Sequence, residues 1–546
     1  MSYVVYGCHC PFCAGASLFG QHDQDSLAGS LSLPPAPAQP IDVKPYTNDY
    51  RMDALLAGLD FRWNNTKPLG TPVQVTYSFM TAKPIYGGTD DPEGDTGFSQ
   101  FSAQQKAAVH EIMNHLQAEL GIALVEVPDS ASSYGQIRFG NNSQPFSAGY
   151  TWVPNSTGDD RSGDVWINQR SVANLNPVKG SYEWATLVHE IGHSLGLKHP
   201  GNYNAGSAPA TAPDNYLGVL EDNTNYTVMS YRVQAAGGQE RDWYGMYDLL
   251  TLKTLYGSNA SYNAGDTVHK FVDSDGARLE IIDDASGYDT IDLSALTRGA
   301  RVDMHPGAFS SVGTVKGSTP SNDVSASNNL SIDLNTVIEK FIGTNLDDVV
   351  TGNDANNAFV LGLGANAADG GAGIDTSVYS IGRSAAQVSD SGGLVRMIAP
   401  GINDTLTQIE RLEFADGKLA FDLNGDAGIT AKVIGAVLGP GALTAHPEYA
   451  GIGLSLLAGG MTYGSLVQFA LDAVLGQVHT NAQVVNLLYS NVAGVQPSAA
   501  QSAPFVSELN SGIETQASLG IFASEHLQNA ANINLVGLAQ TGLVYV

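Results

Sequence analysis

Three histidines and one glutamate lie within eleven residues of the sequence, in the segment VHEIGHSLGLKHP, which runs from Val188 to Pro200. The whole chain contains only 12 histidines, so their concentration in one segment indicates a shared chemical role. His189 and His193 are four residues apart, a spacing that places two side chains side by side on one face of an α-helix. Two imidazoles in that position can hold one metal ion together.

The residues around these histidines predict a helix over Ser181–Leu195. Apolar side chains recur along one face of it at helical spacing, at Trp184, Leu187, Val188, Ile191 and Leu195. Gly196 follows, and because glycine tolerates φ > 0 we expect the helix to end there and the chain to reverse. His199 then returns to the same point as a third nitrogen, and Pro200 prevents the helix from resuming.

Three neutral imidazoles and one open coordination position are typical of a catalytic zinc site, not of a structural one. Zinc lowers the pKa of a bound water molecule towards neutrality. The spacing therefore predicts one Zn²⁺ held by His189, His193 and His199. Glu190 stands beside the ion, where its carboxylate can take the proton of that water and pass it to a leaving amine. The predicted reaction is hydrolysis of a peptide bond. A chance HExxH match on a helix is the alternative, and the third histidine and the glycine at the required offsets argue against it.

The segment HEIGHSLGLKHPGNYNAG resembles the signature of the metzincins and, within them, of the serralysin family. Further along, EDNTNYTVMSYR resembles the Met-turn of that family. The resemblance implies that Met229 lies beneath the metal. It also implies that Tyr231 is a reversible zinc ligand that swings away to hydrogen-bond the oxyanion. Arg232 departs from the family, which usually has tryptophan there, and this difference bears on local packing or on the choice of substrate side chain.

The chain of 546 residues is too long for a single core, which predicts a multidomain fold. The likeness to serralysins covers roughly Tyr46 to Asp422. It implies an α+β metzincin zinc-protease domain, a calcium-binding parallel β-roll and, after these, a mostly helical C-terminal domain. The expected regions are a leader with a Pro-rich linker over 1–45, the catalytic domain over 46–258, the β-roll with degenerate repeats over 259–428, and the helical domain over 429–546. The family likeness also implies that the strand near AGYTW, Ala148 to Trp152, pairs with an extended substrate.

The segment GGAGID, Gly370 to Asp375, fits the repeat G-G-x-G-x-D, whose successive turns hold calcium. The repeat is degenerate, so we expect only a few Ca²⁺ ions. The resemblance assigns Asp284 and Asp289 to one calcium site and Asp369 and Asp375 to others; plain Asp-Gly turns without an ion are the alternative. DLNGDAG resembles the start of an EF-hand loop but lacks the final glutamate, which favours a simple turn.

The net charge of −29 repels nucleic acid and anionic lipid and suits a secreted protein that binds hard cations. No apolar run is long enough for a membrane span. The N-terminus lacks the basic and apolar regions of a Sec signal. Together with the repeats, this predicts export by a type I machinery to the outside of the cell, with proteins or peptides as substrates.

Two further features leave alternatives open. The cysteines, Cys8, Cys10 and Cys13, lie in the leader. One of them can hold the enzyme latent as a zinc ligand. The alternatives are that the three form a separate metal cluster or that they have no function.

The C-terminal region resembles a domain of secreted, surface-layer-associated bacterial proteins, and its role can be export, surface anchoring or substrate recognition. The rival function is therefore a calcium-dependent surface-layer protein with a narrow processing role or an inactive protease domain.

Overall fold

The structure is a computed structural model, and it divides into two compact units. The first consists of Met1–Asp289 with Pro306–Val337, and the second of Thr290–His305 with Ile338–Val546. None of the helices in the described residues combines the length and hydrophobicity that a membrane span requires. The described residues are 33–84, 96–144, 147–155, 160–203, 214–233, 240–273, 278–316 and 322–546.

The histidine segment belongs to the first unit, in which helices surround a mixed sheet. Its helices are α1 Tyr50–Leu55, α2 Ala103–Glu119, α3 Tyr182–Ser194 and α4 Met246–Tyr256. The strands of its main sheet are β1 Val73–Phe79, β2 Thr96–Ser99, β3 Ile122–Glu126, β4 Ile137–Ser143, β5 Gly149–Thr151 and β6 Val165–Asn168. The alternating sequence VQVTYSF predicts β1, and the prediction is confirmed over its whole length.

The order of strands in the main sheet is β3-β1-β4-β6-β5. β2 lies outside this order and pairs with β4. β1 is parallel to both β3 and β4, and β6 is parallel to β4. β5 reverses direction and pairs antiparallel with β6, with Gly149 opposite Ile167. The sheet therefore ends, beside α3, in an antiparallel strand.

Helix α3 begins within one residue of the predicted start, and a side chain caps the first turn of both α2 and α3. Ser102 accepts a hydrogen bond from the Gln105 N–H and completes a capping box for α2. Ser181 caps α3 by accepting from the Trp184 N–H. The predicted apolar stripe of α3 is buried in the main core, and so are its other side chains from Trp184 onwards. A helix so enclosed holds its polar residues in fixed positions.

Short strands follow α4 in the first unit. They are Val268–Val272, Glu280–Ile282, Phe309–Ser310, Thr314–Val315, Val324–Ser325 and Leu330–Ile332.

Short strands also make up the first part of the second unit, where they stack mainly in parallel. Lys340 pairs with Ala358 and Ala358 with Thr376 in one sheet, while Val349 pairs with Ala367 in another. Hydrogen bonds such as Asn357 N–H to Asp375 Oδ1 join residues 18 positions apart, so the repeat of the stack is 18 residues. The strands are Thr290–Ala295, Arg301–Asp303, Lys340–Ile342, Val349–Thr351, Ala358–Val360, Ala367–Asp369, Thr376–Val378, Gln387–Asp390, Leu394–Ala399, Ile402–Thr407, Arg411–Phe414 and Gly417–Ala420.

Helices form most of the rest of the second unit, as the sequence predicts. The end of the chain differs, because Leu543–Tyr545 is a strand that pairs antiparallel with Gly417–Ala420. Its β-branched and aromatic residues suit a strand, and Gly542 before it ends the last helix with φ 79°. The helices are Asp426–Val433, Ala442–Ala445, Pro447–Ala458, Tyr463–Leu475, Asn481–Ala493, Ala499–Ser511, Gln516–Glu525, Leu527–Asn532 and Leu535–Thr541, with a π-helical segment at Ile434–Leu438.

Candidate metal centre

The three histidines of the motif converge on one point. His189 and His193 project from α3, and Gly196, with φ 104°, ends the helix and reverses the chain. A Cβ at residue 196 would lie 2.3 Å from the Phe61 carbonyl oxygen, so glycine is required there for space as well as for φ. The reversal brings His199 Nε2 to 3.2 Å from His189 Nε2 and 3.1 Å from His193 Nε2.

Backbone carbonyls fix which nitrogen each ring presents. His189 Nδ1 lies 2.8 Å from the Val228 carbonyl oxygen, and His193 Nδ1 lies 2.8 Å from that of Leu197. Because a carbonyl only accepts, each Nδ1 carries the proton and each Nε2 keeps its lone pair. Burial, together with the neighbouring His189, lowers the pKa of His193 well below its ordinary value. The lowered pKa favours the neutral form of the His193 ring.

This donor set fits a divalent metal ion. Lone pairs that face one another at little more than 3 Å repel unless a cation lies between them. Zinc–nitrogen bonds of about 2.0–2.1 Å in a tetrahedron separate the nitrogens by about 3.3 Å. Among the described residues, His189, His193 and His199 form the single compact group of three or more metal-ligating side chains.

Glu190 lies beside this group and is fully buried. Its Oε2 accepts a hydrogen bond of 2.8 Å from the Thr151 hydroxyl, at the end of β5. A Cβ at residue 149 would lie 2.9 Å from Glu190 Cγ, so Gly149 allows the strand to approach the carboxylate closely. The edge strand of the sheet thus sets the position of the glutamate.

Met229 and Tyr231, from the segment predicted to be a Met-turn, lie near the histidines. Met229 is fully buried, and its sulfur would lie 3.0 Å from a Cβ at residue 192, which makes Gly192 the point where the turn meets α3. The ring of Tyr231 has its centroid 4.6 Å from that of His199 and 6.0 Å from that of His189. The structure therefore brings Met229 and Tyr231 to the histidine group.

Asp248 is a residue that the sequence reasoning missed. Its buried carboxylate, on α4, accepts hydrogen bonds from the Thr227 hydroxyl at 2.5 Å, the Val228 N–H at 2.7 Å and the Gly245 N–H at 2.8 Å. Burial raises its pKa to about 6. Asp248 binds the N–H of Val228, and the carbonyl of Val228 orients His189. Asp248 therefore supports the metal centre through Val228. The signal for it in the sequence is an acidic residue in the first turn of α4, where a carboxylate favours the helix N-terminus.

A second missed group packs against Tyr231. The Tyr203 ring packs against the Tyr231 ring at 4.7 Å, and its hydroxyl donates to Asp222 Oδ1 at 2.6 Å. The Ser230 hydroxyl donates to the same oxygen at 2.7 Å, and Arg232 Nε donates to Asp222 Oδ2 at 3.0 Å. Arg232 is thus an ion-pair partner of a buried carboxylate next to the metal centre.

A small pocket of about 50 Å³ opens beside the first histidine. Its walls come from α3, the Met-turn and the chain before α4: Tyr182, Ala185, Thr186, His189, Thr224, Val228, Ser230, Tyr231, Val233, Glu240 and Arg241.

Two of the predicted calcium residues, Asp369 and Asp375, belong to the second unit. Asp369 Oδ1 and Asp375 Oδ2 are buried, and neither has a hydrogen-bond partner within the described part of the chain. Burial raises the pKa of Asp375 to about 7, and the nearby Glu410 and Asp369 act in the same direction. Two orphaned carboxylate oxygens in the parallel stack are the arrangement that a cation would satisfy.

The other predicted pair, Asp284 and Asp289, is also buried. Asp284 Oδ2 lies 3.2 Å from His269 Nε2, and Asp289 Oδ1 accepts from the Thr267 N–H at 2.8 Å. Burial and then the charge of Asp284 raise the pKa of Asp289. The leader cysteines, Cys8, Cys10 and Cys13, lie outside the described residues.

Comparisons with known proteins agree with this geometry. Residues 89–243 match a family model described as metallo-peptidase family M12, of the reprolysin type, and residues 247–392 match one described as peptidase M10 serralysin C terminal. A serralysin of Proteus mirabilis is 32% identical over 332 residues, which are 55% of this chain and 64% of the relative. Metallopeptidase AprA of Pseudomonas marginalis is 33% identical over 310 residues, 52% of this chain and 61% of the relative. Serralysin G of Dickeya chrysanthemi is 29% identical over 344 residues, 58% of this chain and 66% of the relative. The chain spans less than two thirds of the length of each of these relatives.

Proposed function

Because this chain belongs, over residues 89–392, to the serralysin-type metzincin metalloproteases, we propose that it is a secreted zinc-dependent endopeptidase. The observation that carries the proposal is the convergence of three imidazole Nε2 atoms beside the buried carboxylate of Glu190. His189, His193 and His199 would hold the ion. When bound, zinc would polarise the scissile carbonyl and lower the pKa of a water molecule next to Glu190.

Glu190 is the general base and then the proton carrier of the reaction. Its carboxylate takes one proton from the attacking water and delivers it to the nitrogen of the leaving amine. The Thr151 hydroxyl, bound to Oε2, holds the carboxylate in one orientation during both transfers. Burial excludes bulk water, so the proton is passed on within the site.

Tyr231 stabilises the negative charge that develops on the substrate oxygen. Its phenol can donate a hydrogen bond, and its ring packs against those of His199 and Tyr203. A donor held in place by packing against two rings costs little reorganisation when the charge forms. Met229 packs against Gly192 and so supports the helix that carries His189 and His193.

The substrate binds as an extended chain along β5. Among the described residues, β5 is the last strand of its sheet and pairs on one side with β6, so its other edge is open to a further strand. Backbone pairing there would place a peptide bond next to Glu190, because Gly149 lies against that side chain.

Calcium stabilises the second unit. We propose that the parallel stack with its repeat of 18 residues is a β-roll and that Asp369 and Asp375 are calcium ligands in it. The orphaned oxygens of both carboxylates support this assignment. Asp284 and Asp289 remain a proposal for a separate calcium site in the first unit. Export by a type I machinery, which would deliver the chain to a calcium-rich exterior, is part of the same proposal.

Replacement of Glu190 tests the proposed function. Glu190→Gln keeps the shape of the side chain but removes the base, so hydrolysis of an unfolded protein should fall by at least about a thousandfold. Glu183→Gln is the matched control, since Glu183 lies in the first turn of the same helix. Fragments are detected by mass spectrometry, and zinc content is measured for every variant. Full turnover by Glu190→Gln, with zinc bound, would refute the proposal.

A further inference from the structure

The Pro-rich segment Leu33–Ile41 lies along the loop that leads into the Met-turn. Ile41 and Tyr216 exchange backbone hydrogen bonds of 2.8 Å each in an antiparallel bridge. Further towards the N-terminus, the Pro37 carbonyl accepts from the Val219 N–H. The segment is therefore paired with the catalytic unit at two points along its length.

The N-terminal end of the segment reaches the metal centre. The Leu33 side chain packs against the buried rings of Tyr203 and Tyr231. The Pro34 carbonyl accepts a hydrogen bond from Arg232 Nη2. Tyr231 is in turn the ring that packs on His199. A peptide of the chain itself thus occupies the surface over the residue that stabilises the oxyanion.

The side chain of Arg232 is fixed in the position from which it donates to the Pro34 carbonyl. Its Nε is bound to Asp222, whose side chain is fully buried and also accepts from Tyr203 and Ser230. The planar guanidinium is fixed by that ion pair, so its Nη2 points at the peptide at little entropic cost. Tryptophan, the usual residue of the family at this position, has no second donor with which to bind a carbonyl in this way.

The composition of the segment suits a ligand that resists cleavage. Pro34, Pro35, Pro37 and Pro40 fix an extended backbone before binding and carry no N–H. Such a peptide pairs through its carbonyls, as observed at Pro34 and Pro37. It cannot form the continuous strand pairing that would carry its peptide bonds along β5 towards Glu190.

We propose that Arg232, Tyr203 and Tyr231 form a peptide-binding subsite for an extended, proline-rich, apolar segment, and that Leu33–Ile41 fills it in the uncut chain. Substrates then compete with the segment for the surface beside Tyr231. The effect on catalysis rests on the proposed function, whereas the binding of the segment does not.

Hydrogen exchange tests the binding in the full chain carrying Glu190→Gln, which is not expected to cut itself. Leu33→Lys removes the apolar contact and puts a positive charge next to Arg232. Arg232→Lys keeps the positive charge beside Asp222. It loses the planar guanidinium, which contacts both Asp222 and the Pro34 carbonyl. Each should speed exchange of the Tyr216 and Val219 amides by at least about tenfold. Leu69→Lys, at a site that is 40% exposed, is the control and should leave these amides unchanged.

Kinetics with the Glu190-containing chain test the competition. Leu33→Lys should lower KM for a fluorogenic peptide by at least about threefold, because the subsite is vacant more often. Added LPPAPAQPI peptide should inhibit this variant competitively, and a scrambled peptide should not. Unchanged exchange in both variants, or faster exchange with unchanged KM, overturns the inference. A zinc-loaded chain that cuts no peptide refutes the proposed function instead, and the exchange result still decides whether the segment binds.

Discussion

Asp248 provides the sharpest test of how the scaffold supports the metal centre. Asp248→Ala removes the acceptor of the Val228 and Gly245 N–H groups, both of which are bound to Oδ2. A buried donor without a partner costs about 1–3 kcal/mol, so two cost roughly 2–6 kcal/mol. Burial makes the native carboxylate itself unfavourable, as its raised pKa of about 6 shows. We therefore expect the lower part of the range, a loss of about 2–4 kcal/mol in the free energy of unfolding.

Asp248→Asn is the matched control. Its amide oxygen can accept from both N–H groups, and its NH₂ can donate to the Thr227 hydroxyl oxygen, so the loss should stay below about 1.5 kcal/mol. Because burial raises the pKa of Asp248, the folded state binds its proton more tightly than the unfolded state does. The unsubstituted chain, with Asp248, therefore loses stability relative to the Asp248→Asn variant as the pH rises from about 4 to 6.

The assay follows from the distribution of tryptophan. All 5 tryptophans belong to the first unit, so urea unfolding followed by their fluorescence reports on that unit alone. In Asp248→Ala the Val228 carbonyl also loses its support, and zinc affinity should fall by about 10- to 100-fold, as measured by competition with a chelator. Equal stability and equal zinc affinity of the Ala and Asn variants would refute the reasoning.

Three further predictions concern other residues of the account. Gly192→Ala puts a Cβ 3.0 Å from the Met229 sulfur and 3.2 Å from the Tyr244 ring, so the tryptophan-detected unfolding free energy should fall by about 1–3 kcal/mol; an unchanged value would contradict the close approach. Thr151→Val should lower kcat/KM about ten- to a hundredfold at unchanged zinc content, because Glu190 loses a charge-assisted hydrogen bond. Thr251→Val, which removes a buried hydroxyl bound to a carbonyl of its own helix α4, is the control. Asp375, with a pKa raised to about 7, must lose its proton to bind calcium, so the affinity measured by calorimetry should fall as the pH drops below 7. Asp375→Asn should abolish that pH dependence, and a dependence that persists would remove Asp375 from the site.

The local features of the metal centre follow from the sequence because they are set within a few residues. The cap at Ser181, the spacing of His189 and His193, and the helix stop at Gly196 all depend on helical geometry and on the conformational freedom of glycine. The return of His199 depends on the same short turn. Local rules therefore predict features of this kind, because the chain contacts itself there over a short distance in sequence.

Contacts between residues that lie far apart in the sequence could not be predicted in the same way. Thr151 meets Glu190 across 39 residues, and Arg232 meets Pro34 across 198. No periodicity or turn signal connects such partners, because their meeting depends on the sheet order and on loops of unrelated sequence. The strand Leu543–Tyr545 was missed for this reason too, since its partner Gly417–Ala420 lies far away along the chain.

X-ray absorption at the zinc edge tests the central claim most directly. On the full chain loaded with one equivalent of zinc, the account predicts three imidazole nitrogens at about 2.0–2.1 Å from the ion. It also predicts that zinc is lost on replacement of His199 by alanine. A stoichiometric zinc ion with fewer than three imidazoles, or a folded chain that binds no zinc, would contradict it.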